Sequence, residues 1–83
     1  MRETKIIIEK NEDQVLVASF WKPEDLQPDT YSWIADLTSK PCESRVDFQK
    51  RCYATFLDLA PCYNLESFQI LHSVGQFRTL QNS

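Results

Sequence analysis

Four side chains able to bind a metal recur at even spacing: Cys42, Cys52, Cys62 and His72 stand ten positions apart. By residue type they make a Cys₃His zinc set. The segment between them opposes that chemistry. If residues 42–60 are helical, a ten-residue step rises about 15 Å, whereas two ligands of one zinc lie within roughly 4 Å of each other. Zinc ligands also tend to come in close pairs such as C-x-x-C, which this chain lacks. Cys52 is therefore expected to be a small core residue, with Cys42 and Cys62 near the helix ends, and no metal ligand is assigned.

His72 is the only histidine, so any histidine-based general base or Cys-His dyad must use it. Cys62 is its least implausible nucleophilic partner, because the two flank one short apolar segment. No glycine loop or visible oxyanion donor surrounds them, and a structural histidine at a strand end is the simpler expectation. One glycine in the whole chain cannot build a phosphate cradle, and no G-x-x-x-x-G-K-[ST], G-x-G-x-x-G or G-x-S-x-G pattern occurs. Glu24, Asp25 and Asp29 cluster beside two prolines but lack the alternating ligands of a calcium loop, so they read as a solvated connection. No catalytic residue and no cofactor are assigned.

Charge narrows the partners. Nine Lys plus Arg against twelve Asp plus Glu give a net charge of −3, so no chain-wide positive field attracts phosphate backbones. That acidity also falls short of a DNA mimic. Arg45, Lys50 and Arg51 form a modest basic cluster with Glu43, Asp47 and Asp58 interspersed, which fits the wet face of a helix better than a phosphate-contact surface.

These groups must be carried by a fold, and the pattern of apolar residues predicts one. Eighty-three residues fit one core, since chains this short bury only roughly 60% of their unfolded surface. A single domain over 1–83 is expected. Residues 5–10 (KIIIEK) and 14–21 (QVLVASFW) are β-branched and aromatic, and Asn11-Glu12-Asp13 between them is turn chemistry, which predicts a hairpin. Residues 22–29 hold two prolines and three acids and read as an exposed connection. Residues 31–37 (YSWIADL) alternate, with Tyr31, Trp33, Ala35 and Leu37 on one side and Ser32, Ile34 and Asp36 on the other, giving a third strand; a short helix after Pro28 is the rival.

Ser44 with Asp47 resembles a capping box, and Pro41 could equally open the helix a turn earlier; Phe48, Cys52, Phe56 and Leu59 then fall at helical spacing with Tyr53, Leu57 and Ala60 beside them. Pro61 is expected to end that helix. Residues 67–72 (SFQILH) predict another strand, and residues 77–80 a short edge strand after Gly75. The result is an α+β domain: an antiparallel sheet of four to five strands in β-β-β-α-β order, with one long amphipathic helix on one face.

That architecture leaves apolar residues over. Val15, Val17 and Trp21 face one side of the second strand and Leu16, Ala18 and Phe20 the other, while the third strand divides Tyr31, Trp33 and Leu37 from Ile34. A sheet half-exposed to water alternates apolar with polar, and one helix covers only one face. The other face is covered by the 22–29 connection and the C-terminal tail, or it is buried against another chain.

The order IIIEKNEDQVLVASF, then WIADL, then an amphipathic helix, resembles the small HicB-type antitoxin domains over about half the chain. The glycine and proline landmarks of that family are missing here, so no residue role is carried over from it.

The expectation is a small non-catalytic interaction protein, a regulator, inhibitor or adaptor, that binds a protein partner or a second copy through Trp21, Tyr31 and Trp33. The alternative is RNA or single-stranded DNA binding, with sheet aromatics stacking on bases and Arg45, Lys50 and Arg51 on phosphate. The opening Met1–Lys5 and three isoleucines are too short for a signal-peptide core or a membrane span, and three cysteines without a C-x-x-C pair suit reduced thiols, so a cytoplasmic, non-membrane setting is expected.

Overall fold

Asn11 organises the first hairpin. Its side-chain oxygen accepts from the backbone N–H groups of Asp13 and Val15, and its carbonyl accepts from Gln14 N–H. Gln14 adopts φ 64°, so the turn is a β-turn closed by one left-handed residue. The strands it joins are β1 (Thr4–Lys10) and β2 (Leu16–Pro23), paired antiparallel from Lys5↔Trp21 to Lys10↔Leu16. The computed structural model describes residues 3–24 and 30–72.

Strand β2 runs further than the exposed connection expected at 22–29 allows, through Lys22 to Pro23. Pairing with β1 stops at Lys5↔Trp21, so the missing N–H of Pro23 leaves no ladder bond unmade on that side. Strand β3 (Tyr31–Thr38) pairs antiparallel with β2, which resolves the strand-or-helix alternative for this segment.

Helix α1 spans Arg45–Tyr63 and begins as expected, with the Ser44 hydroxyl accepting from Asp47 N–H. It does not stop at Pro61. Two residues from the helix end, the missing proline N–H removes one backbone bond, and the helix continues to Tyr63. Asn64 then caps it in the left-handed conformation, with the N–H groups of Asn64 and Leu65 both donating to the Ala60 carbonyl.

The chain returns as β4 (Phe68–Leu71), which pairs with β1 in parallel. The strand order is β3-β2-β1-β4, so the sheet is mixed rather than wholly antiparallel. The parallel pair follows from the crossover: α1 carries the chain from one edge of the sheet to the other, where β4 enters in the direction of β1. The expected fifth strand at 77–80 lies outside the described residues.

The core fills the space between α1 and the hairpin. Phe48, Cys52 and Phe56 of the helix form one buried cluster with Ile6 and Ile8 of β1 and Leu16, Ala18 and Phe20 of β2. Phe68 of β4 extends it, its ring centroid 4.7 Å from that of Phe56. Tyr53 and Leu57, expected beside this line, instead turn outward.

Phe48→Ala removes a fully buried aromatic ring from the centre of this cluster. It is expected to cost about 3–5 kcal/mol, most of the stability of a domain this small. Urea unfolding followed by circular dichroism checks this, and a loss below about 1 kcal/mol would contradict the packing.

Candidate interaction surface

The sheet face away from α1 is laid out in rows by strand register. One row runs Gln69, Lys5, Trp21 and Trp33, and the next runs Leu71, Ile7, Ser19 and Asp36, from β4 across to β3. Tyr31, opposite Pro23, completes the β3 end. Trp21, Tyr31 and Trp33 therefore do share one face.

A β-bulge makes this possible. Register shifts between Phe20 and Trp21, so Ala35 pairs with Phe20 while Trp33 pairs with Trp21, and Ile34 is the extra residue. Strict alternation would have sent Tyr31, Trp33, Ala35 and Leu37 to one side. Instead Ile34, Ala35 and Leu37 pack on the core under α1, while Tyr31 belongs to the cluster on the opposite face.

Burial varies steeply across the face. Ile7 and Leu71 are only 3% and 5% exposed, with Trp21 and Tyr31 partly buried against them. Trp33, by contrast, is 54% exposed. The β1–β4 half is thus closed within the single chain, and the open part is the β3 end. Lys5 is buried on the closed half, its ammonium donating to Gln69 Oε1 at 2.7 Å.

Both indoles are fixed by hydrogen bonds to their own face. Trp21 Nε1 donates to Ser19 Oγ at 3.0 Å, and Trp33 Nε1 donates to Asp36 Oδ1 at 2.7 Å. The second bond is charge-assisted and holds an exposed ring in one orientation. Nearby, Ser32 donates to Glu24, and Lys22 lies 3.8 Å from the same carboxylate. Asp25 and Asp29 lie outside the described residues.

The basic residues do not converge. Successive helix positions differ by about 100°, so Lys50 and Arg51 diverge by that angle, and Arg45 points more than about 100° from either. Arg51 is also engaged, with Nη1 2.6 Å from Glu43 Oε1 and its guanidinium 6.0 Å from the Phe48 ring centre. Arg45 Nη1 lies 3.5 Å from His72 Nδ1. A cleft of about 480 Å³ beside the first hairpin turn mixes Lys10, Lys40 and Arg45 with Asp13 and Glu43, and its Glu43 carboxylate already accepts from Arg51 and Lys40 N–H.

The same geometry separates the candidate thiol chemistry. His72 sits against Arg45 in the first turn of α1, and Cys62 lies in the last, about 25 Å along the axis. The Cys62–His72 dyad is therefore not assembled. Cys42, Cys52 and Cys62 are spread along the same length, and no group of three metal-binding side chains occurs among the described residues. No helix among them is long and apolar enough to cross a membrane.

No protein-family model, curated protein or solved structure matches this chain.

Cys52 differs sharply from the other two thiols. Burial pushes it from 9.0 up to about 11, with the Arg51 charge opposing the rise and Glu43 adding to it. At pH 8 that leaves roughly a hundredfold less thiolate than an unperturbed cysteine has. Iodoacetamide is expected to modify Cys42 and Cys62 in the folded protein and Cys52 only after denaturation, as read by peptide mass spectrometry. Because the folded value is the higher one, the neutral thiol's contribution to stability is complete below about pH 9 and is lost as pH rises toward about 11.

Proposed function

We propose that this chain is a small non-catalytic protein-interaction domain, a regulator, inhibitor or adaptor, that engages a protein partner through the β3 end of its second sheet face. The observation that supports this reading is Trp33: a large aromatic side chain 54% exposed, yet pinned by its 2.7 Å bond to Asp36. An indole already held in one rotamer loses little entropy when it enters a partner's pocket, and tryptophan is the residue type most enriched among binding hot spots. Trp21 and Tyr31 flank it, and half-buried aromatic neighbours keep water from the rim of such an anchor. A cytoplasmic setting fits the three unpaired thiols.

The separation of Cys62 from His72 supports the non-enzymatic part, because it removes the constellation that came nearest to nucleophilic catalysis. The divergence of Arg45, Lys50 and Arg51 gives no contiguous cationic track for a phosphate backbone.

Affinity capture from the native host with the wild-type chain and with Trp33→Ala tests the reading. A specific protein partner is expected, and its affinity is expected to fall at least about 30-fold in the variant, equivalent to about 2 kcal/mol. Unfolding stability should stay within about 1 kcal/mol of wild type, since the ring is mostly solvated. A partner bound equally well by Trp33→Ala would overturn the proposal.

A further inference from the structure

Strand β3 ends the sheet and, among the described residues, is paired on one side only, with β2. Hydrogen bonds at its two ends fix which backbone groups face outward. Ser39 N–H donates to the Leu16 carbonyl and Glu24 N–H to the Thr30 carbonyl, so Ser39 and Thr30 face β2. An antiparallel ladder alternates. Counting back from Ser39 and forward from Thr30 as far as the bulge, Leu37 and Ser32 also face β2, while Thr38, Asp36 and Trp33 turn their N–H groups to the open edge. The same three residues are the exposed positions of the strand.

A row of unpaired backbone groups is a template for another strand, and natural edges blunt it by shortness, lysine or proline. The opposite end strand, β4, is four residues long. Strand β3 has eight residues and holds no lysine, arginine or proline. Its single charge is Asp36, whose carboxylate already fixes the Trp33 indole.

We infer that the protein partner lays an extended segment along the open edge of β3 and adds a strand to the sheet. This rests on the proposed partner binding through Trp33 and specifies its form. The segment bonds to the N–H groups of Trp33, Asp36 and Thr38 and to the carbonyls of Trp33 and Asp36, since the Thr38 carbonyl accepts from Arg51. Alternate side chains of the segment fall on the second sheet face, an apolar one beside the Trp33 ring and a basic one beside Asp36. The bulge and the charge both select against a second copy as occupant. The bulge bends the edge between Trp33 and Asp36, which a flexible segment follows and a strand already fixed in its own sheet does not. A second β3 would also bring its own Asp36 carboxylate to a site that calls for a cation.

Amide hydrogen exchange followed by NMR tests this on the full chain, with a short synthetic peptide selected on that chain from a displayed random library as the probe. In the free chain the Asp36 and Thr38 amides are expected to exchange at least about tenfold faster than those of Leu37 and Ser39. The peptide is expected to slow the Trp33, Asp36 and Thr38 amides at least about tenfold. Methylating its alternate backbone nitrogens is expected to weaken binding at least about tenfold, which probes the edge without altering the protein. Thr38→Pro removes one outward donor and no bond to β2, so it is expected to keep the wild-type circular dichroism and lose a similar factor in affinity. If Trp33→Ala weakens binding while Thr38→Pro and the methylated peptides do not, edge docking is overturned and the Trp33 reading stands; equal binding by Trp33→Ala overturns both. Slow exchange of Asp36 and Thr38 in the free chain, exchange that slows as the free chain is concentrated, or a selection giving no peptide that protects these amides would each overturn the inference.

Discussion

Burial of Phe48, Cys52 and Phe56 against the β1–β2 hairpin is the contact on which the rest of the molecule depends. A chain of this length has material for one apolar core, and an aromatic ring at its centre is worth several kcal/mol against a total of about 5–15. The helix can face the hairpin in only one rotation. That rotation turns Val46, Tyr53 and Leu57 outward, and the run of α1 along the sheet sets Cys62 and His72 at opposite ends of the helix. The thiol that the core does take in, Cys52, is held toward its neutral form by that burial.

Much of this was legible in the residues because the determinants are local. Asn11 writes the hairpin turn through its own side chain, and Ser44 with Asp47 writes the start of α1. The apolar line Phe48, Cys52 and Phe56 gives the buried face of the helix directly. That Cys42, Cys52 and Cys62 stand far apart along the length of α1 was likewise available from spacing alone.

Where local rules misled, tertiary pairing had overridden them. Pro61 reads as a stop, yet one lost bond near a helix end is offset by the Asn64 cap and by Leu65 packing on the core. Pro23 reads as loop, yet it sits where β1 no longer pairs with β2. Alternation through YSWIADL breaks at Ile34 because the sheet accepts a bulge there, and no single-strand pattern reveals which partner residue two neighbours will share. The direction of β4 depends on where α1 delivers the chain, which is a property of the whole fold. For the candidate surface, residue types pointed to Trp21, Tyr31 and Trp33 together, but burial separates them: two support the closed half of the face and one is presented to solvent.

The proposed partner binding therefore rests on an unequal pair of tryptophans. Acrylamide quenching of single-tryptophan proteins, Trp21→Phe and Trp33→Phe, measures this directly in the isolated chain. Trp33, observed alone, should be quenched nearly as readily as a free indole, and Trp21, observed alone, several-fold less. Equal shielding of both rings would contradict the account, because no aromatic anchor would then be offered to a partner.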